Sequence, residues 1–214
     1  MRPTTYPCSA ALAAVLLVIP VTTRAGETAK PAFDCARADS SVTRLVCADA
    51  ALAALDRKLD EVYKAAVAKS NGETLATLKA EQRGWVKGRD ECWKAQKKAP
   101  TWLTESFVVD DIRACTEWSY SQRIAELQVM WQLVPSKPAV SYACNGNPAN
   151  EVIAQLFDTA LPAGRFERGD QTVVGYLVKS PDGMRYEGRN MRFAASGKDA
   201  KLRWRGEDLA CKAR

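Results

Sequence analysis

Six cysteines follow residue 25: Cys35, Cys47, Cys92, Cys115, Cys144 and Cys211. They are the side chains best placed for covalent chemistry, because the chain has no histidine. Without imidazole there is no Ser-His-Asp or Cys-His nucleophile, no His-ligated zinc and no H-E-x-x-H helix. The cysteines show no C-x-x-C spacing, so thiolate metal binding is the weaker use for them and disulfide formation the stronger. Pairing nearest neighbours gives Cys35 with Cys47, Cys92 with Cys115, and Cys144 with Cys211. The first two pairs lie within one helical region and the third brackets a separate one. Asp110 and Asp111 form the most conspicuous acidic pair, but adjacent helical residues point in different directions and make a poor acid/base couple. Solvation of a helix surface is the better account of them. The expectation is a protein that is not an enzyme and needs no cofactor or metal.

An even set of cysteines suits an exported chain, and the N-terminus agrees. Arg2 precedes the ten-residue apolar run Ala10–Ile19, and Thr23-Arg24-Ala25 resembles a small-x-small cleavage site. Ten residues fall short of the roughly 20 a membrane-spanning helix needs. Cys8 lies before the run rather than after it, where a lipid anchor would need a cysteine. Residues 1–25 are therefore expected to be a cleaved signal peptide, giving a periplasmic or secreted protein without a transmembrane anchor.

The mature chain changes texture once. Asp49 is a plausible cap for a helix over about 50–69, with Leu52, Leu55, Leu59, Val62, Tyr63 and Ala66 at helical steps and Asn71-Gly72 as the stop. A second helix is expected over about 73–98, with Leu75, Leu78, Trp85 and Cys92 on its apolar stripe. Glu81, Arg83, Lys87, Arg89 and Asp90 take the remaining surface. A third spans about 103–132 and carries Phe107, Ile112, Cys115, Ile124 and Leu127. Trp85, Trp93, Trp118 and Trp131 sit at helical positions where core packing is the default. Pro135-Ser136-Lys137-Pro138 then reads as a short stiff linker. Beyond it, alternation replaces helical period at Glu151–Phe157, Thr172–Val178, Met184–Glu187 and Lys201–Arg205, with turn residues between, as in a small antiparallel sandwich or barrel. The fold class is α+β in two domains: a disulfide-bonded helical bundle or hairpin over 26–134 and a small antiparallel β domain over 139–214. Each is expected to fold independently.

The formal charge is 31 − 25 = +6, with no strong surplus in either half, which argues against a nucleic-acid footprint. Lys201, Arg203 and Arg205 alternate with Leu202 and Trp204 and are expected to form one solvated strand face.

The helical half resembles the LprI lysozyme-inhibitor family over about residues 33–130. The residues that carry this are Phe33-Asp34-Cys35 to Leu45-Val46-Cys47, Asp49 with Leu52–Asp56, Glu81–Trp85 with Arg89–Cys92, and Cys115 followed by Tyr120, Arg123 and Leu127. The second half resembles the MliC family of C-type lysozyme inhibitors over about 140–212, through Tyr142-Ala143-Cys144, Arg168–Val173, Ser180–Glu187, Ser196–Ala200 and Cys211. That resemblance implies a small antiparallel barrel whose loops enter the lysozyme cleft. The family's first loop reads Ser-x-Ser-Gly-x-Lys/Arg-Tyr and its second contains Lys-Gly. Here Asp182 stands at the second serine, Ser196 stands at the lysine, and Lys198 follows two positions later.

Lysozyme works with one protonated and one ionised carboxyl group. A plug for its cleft should offer a hydroxyl that donates and accepts, and a cation, both on rigid turns. The resemblance thus makes Ser180, Asp182, Arg185, Tyr186, Ser196 and Lys198 the candidate lysozyme-binding residues, with C-type lysozyme as the protein partner. The competing class is a non-inhibitory envelope module that recognises cell-wall components, other anionic envelope components or another envelope protein.

Overall fold

The computed structural model describes residues 30–96, 111–180 and 183–214. The leader, the segment 97–110 with Leu103, Phe107 and Asp110, and Asp182 lie outside the described residues.

The helices begin at capped starts. Ser40 Oγ accepts from the Thr43 amide at 3.0 Å while Thr43 Oγ1 accepts from the Ser40 amide at 3.0 Å. This reciprocal box opens α1 (Ser41–Ala48). Asp49 caps α2 (Ala50–Ala68), accepting from the amides of Ala51 and Leu52 at 2.9 and 3.1 Å. α3 (Gly72–Asp90) tightens into a 3-10 segment, Glu91–Gln96. α4 (Ile112–Met130) starts at Asp111, whose carboxylate accepts from the Ala114 amide at 2.7 Å. Asp111 is therefore a helix cap rather than a merely solvated surface acid. Cys35–Cys47 ties the N-terminal segment to α1, and Cys92–Cys115 ties the 3-10 segment to α4.

Leu52, Leu59, Val62, Leu78, Tyr120, Ile124 and Leu127 form the helical core. A polar chain runs through it. The Ala32 amide donates to Asp56 Oδ2 at 2.7 Å, the Tyr120 hydroxyl donates to Asp56 Oδ1 at 2.8 Å, and Arg89 Nη1 donates to the Tyr120 oxygen at 2.8 Å. Arg89 also donates to Asp90 Oδ1 at 2.8 and 3.0 Å. Trp85 meets Tyr120 edge-on at 5.2 Å between ring centroids, with the Arg89 guanidinium 5.4 Å from the Trp85 ring. Arg89 is thus buried instead of lying on the outer surface of its helix. Burial is tolerated because the Asp90 carboxylate and the Tyr120 hydroxyl accept from its guanidinium, and Asp56 in turn accepts from Tyr120. Trp93 departs from expectation in the other sense: it falls in the 3-10 segment, where helical phase is lost, and is 47% exposed.

The second half is a closed eight-stranded antiparallel barrel in simple sequence order. Its strands are β1 (Val140–Cys144), β2 (Asn147–Phe157), β3 (Ala163–Arg168), β4 (Gln171–Ser180), β5 (Gly183–Gly188), β6 (Met191–Ser196), β7 (Asp199–Trp204) and β8 (Glu207–Ala213). Inward residues include Phe166, Tyr186, Met191, Phe193, Leu202 and Trp204. Such bulk fits because Gly188 and Gly175 face the same interior: a Cβ on Gly188 would lie 2.5 Å from the Val174 carbonyl oxygen. Cys144 and Cys211 are register partners of β1 and β8, so their disulfide crosses the pairing that closes the barrel. Closing a loop of sequence separation 67 stabilises so thin a core by about 4 kcal/mol in the chain-entropy model. The expected Lys201–Arg205 face is shorter than its alternation suggests. Lys201 and Arg203 lie on β7, but Arg205 sits in the next turn with φ 52°.

The Pro135–Pro138 segment joins the halves but does not hold them apart. The Lys137 amide donates to the Leu156 carbonyl at 2.8 Å and the Asp158 amide to the Pro135 carbonyl at 3.0 Å. Ala125 and Val129 of α4 are buried with Phe157 and Ala163 of the barrel, and Val134, Leu161, Val174 and Tyr176 pack around them. Trp118 meets Tyr176 edge-on at 6.2 Å, and the Tyr176 hydroxyl approaches the Gln122 carbonyl at 3.5 Å. Loss of water, reinforced by the Glu126 carboxylate, holds the Tyr176 phenol well above its ordinary value of 10.

Two outcomes test these contacts. Tyr120→Phe removes the hydroxyl that bridges Asp56 and Arg89, and urea unfolding is expected to show a loss of about 1–3 kcal/mol. A raised folded-state phenol favours folding below pH 10 and loses that contribution as pH rises toward the folded value. Stability should therefore fall above pH 10, and Tyr176→Phe should flatten the decline; an unchanged profile in denaturant titrations at pH 8 and pH 11 would count against the buried phenol.

Candidate functional site

In an eight-stranded up-and-down barrel, alternate turns emerge at alternate ends. The β4–β5 strand ends, Ser180 and Gly183, and the β6–β7 turn (197–198) share one end with the β2–β3 connection. The 189–190 and 205–206 turns lie at the other. The two segments singled out in the sequence are thus neighbours in space, on every second hairpin of the barrel.

Ser180 ends β4 and is the register partner of Gly183 across the hairpin. Ser196 ends β6 opposite Asp199, and both Ser196 and Lys198 are exposed. Their turn is fixed from both sides: Gly197 takes φ 60°, and the Lys198 carbonyl accepts from the Ala213 amide at 2.7 Å. Such a turn presents a hydroxyl and an ammonium group with little backbone freedom left to lose on docking.

Arg185 and Tyr186 lie on β5 behind the first turn and serve two different faces. Tyr186 points inward and packs on Phe166 at 5.6 Å, and burial raises its phenol above the ordinary value. It is a packing residue that supports the hairpin. Arg185 faces outward, with Nη2 2.7 Å from Glu187 Oε1, and Arg192 Nε lies 3.5 Å from the same oxygen. Glu187 is only 3% exposed. It is the register partner of Tyr176, at the margin of the contact with α4. Met184 escaped notice because alternation assigns it to the interior. It stands one rung in from the end of the hairpin, paired with Lys179 where the barrel opens, and is 59% exposed. It adds an apolar contact to the hydroxyl and the cation at that end.

Nothing here resembles an acid/base pair, and no group of three or more potential metal ligands occurs among the described residues. The end can bind by shape, hydrogen bonds and exposed ammonium groups, Lys198 among them.

The described residues thus form a helical, disulfide-bonded unit packed on a closed antiparallel barrel. Comparison with known families makes this specific. Residues 35–127 match the family model of lysozyme inhibitor LprI, and residues 142–210 match that of the membrane-bound lysozyme-inhibitor of c-type lysozyme, MliC. The chain is therefore similar to LprI over its helical part and to MliC over its barrel, and both families indicate lysozyme-inhibitor function. Similar curated proteins are named Lipoprotein LprI, from Mycobacterium bovis and Mycobacterium tuberculosis. Each is 26% identical over 187 residues, covering 86% of this chain and 85% of the relative.

Because Gly197 alone supplies the left-handed backbone of the second turn, Gly197→Ala should cost about 1–2 kcal/mol. Thermal unfolding would register this as a lowered midpoint; an unchanged midpoint would mean the turn tolerates a side chain there.

Proposed function

We propose that the protein is an exported inhibitor of C-type lysozyme that seats the barrel end bearing the 181–182 and 197–198 turns in the enzyme's catalytic cleft. The observation that supports this most is the convergence of those turns at one end, with Ser196 and Lys198 exposed on a fixed backbone. A lysozyme cleft holds one carboxyl that donates and one carboxylate that accepts. Ser196 can serve either, and Lys198 suits the ionised one. Arg185 acts behind the turn: held by Glu187, it orders β5 and adds positive potential without entering the cleft. The leader and the relatives named lipoproteins favour the cell envelope as the working place. Among the described residues no helix is long and apolar enough to cross a membrane.

Lys198 replaces the family's lysine from two positions further along, reaching back across Gly197. Asp182 places a negative charge where the family loop has a serine, and close to carboxylates it is repulsive. Lys198→Ala should weaken inhibition roughly ten- to a hundredfold, the worth of a charge-assisted hydrogen bond of about 1.5–3 kcal/mol. Asp182→Ser should strengthen it. Both are read from the rate at which lysozyme clears a bacterial cell-wall suspension. If both variants inhibit like the parent, the occluding surface lies elsewhere; if the parent never inhibits, the non-inhibitory envelope module is the correct reading.

A further inference from the structure

We infer that a second binding site, for an anionic glycan strand, lies in the cleft between the two domains. It sits on the far side of the barrel from the lysozyme-facing turns and does not depend on inhibition. α4 packs on the outer face around the end of β2 and on β3 and β4. As the barrel curves away through β5, β6 and β7, a cleft of about 1800 Å³ opens between them. Small-molecule sites occupy roughly 300–1,000 Å³, so the space suits an extended ligand.

The barrel wall of this cleft carries Arg189, Arg192, Arg203 and Arg205. Two have acidic partners, Arg192 with Glu187 at 3.5 Å and Arg203 with Asp208 at 3.0 Å. Arg189 and Arg205 make no ion pair among the described residues, and both are exposed. Their turns are locked together, with the Arg205 amide donating to the Asn190 carbonyl at 2.8 Å. The opposite wall offsets them only in part. Its acids, Glu81 and Glu126, share the buried Arg123 guanidinium at 3.7 and 2.8 Å. Two guanidinium forks on fixed turns are arranged to take carboxylate or phosphate groups in bidentate fashion.

Three further features select a glycan. Gln122, Gln171 and Thr172 line the cleft with groups that pair with hydroxyls, and Trp131 adds an aromatic surface. The Trp131 indole donates to Ser70 Oγ at 2.7 Å, which fixes its ring. Glu81, Glu126 and Glu187 remain in the lining and would repel a polymer as densely charged as nucleic acid, which carries one charge per about 1.7 Å of duplex. A strand of neutral sugars with spaced anionic groups meets arginines where it is charged and amides where it is not. Cell-wall glycan with carboxylate-bearing stems and glycans carrying phosphodiesters share this chemistry.

Co-sedimentation of the full chain with insoluble cell-wall sacculi tests the site, using one preparation stripped of phosphodiester-linked polymers and one that retains them. Retention is expected on at least one, and it should fall as salt rises. The double variant Arg189→Gln with Arg205→Asn, whose asparagine accepts the left-handed backbone at 205, should lose about tenfold in retention. Retention on stripped sacculi assigns the anion to carboxylates, and retention only on the unstripped ones assigns it to phosphodiesters. The double variant should still inhibit lysozyme acting on a soluble oligosaccharide as the parent does, because its changes lie at the other end of the barrel. No retention on either preparation, or equal retention by parent and variant, overturns the site. Arginine-dependent retention by a protein that does not inhibit lysozyme would uphold the site and remove the lysozyme reading instead.

Discussion

Helix α4 must satisfy two hydrophobic surfaces at once, and the rest of the molecule is arranged around that demand. One side gives Tyr120, Ile124 and Leu127 to the helical core, and another gives Ala125 and Val129 to the barrel. A helix apolar over so much of its circumference is stable only when covered from both sides. The covering elements are α2 and α3 through the Asp56–Tyr120–Arg89 chain, and β3 and β4 through Tyr176. The disulfide at Cys115 pins its first turns and the cap at Asp111 starts it. Because α4 belongs to both cores, the position of the barrel relative to the helices is set by packing, and the Pro135–Pro138 segment only follows the path that packing leaves.

Much of this was legible from the sequence, and the parts that were not share a physical cause. The three cysteine pairings follow from proximity in sequence, and the long helices and the strands with clear alternation appear near their expected positions. α1 escaped notice because eight residues between two cysteines give too short a window for helical period. β3 and β8 escaped because Ala-Gly-Arg-Phe-Glu-Arg and Glu-Asp-Leu-Ala-Cys-Lys-Ala mix small and charged residues on both faces. Their membership in the barrel depends on neighbours across the sheet. Arg89 was misplaced for a related reason, since the Tyr120 phenol that receives it, and Asp56 behind that phenol, come from distant parts of the chain. The contact with α4 was invisible because Tyr176 reads as an ordinary outward residue of an alternating strand, and its partner Trp118 lies on another element.

The motifs that reveal the two families are largely structural. Asp56, Trp85, Arg89 and Tyr120, which carry much of the helical resemblance, are consumed in one buried network. Arg123 is buried too, between Glu81, Gln82 and Glu126. In the barrel, Tyr186 and the terminal cysteines build the interior, while the turn residues and Arg185 face outward. Recognising the fold from such residues therefore says little about the surface that binds, because a buried network can be kept while every exposed side chain changes.

The barrel's geometry explains how one small domain can carry two surfaces without conflict. Hairpin turns alternate between ends, so residues close in sequence, such as the 189–190 and 197–198 turns, are delivered to opposite ends a strand length apart. Six residues at about 3.3 Å each separate them by roughly 20 Å, about twice the Debye length in ordinary salt. Charge at one end hardly influences the other. The exposed arginines at 189 and 205 would therefore impose little repulsion on a basic partner at Lys198, while Glu187, buried between Arg185 and Arg192 near the end of β5, limits the positive potential across that face. On the proposed reading, a net positive chain would approach a positive enzyme end-on, with the arginine-lined cleft turned toward the wall.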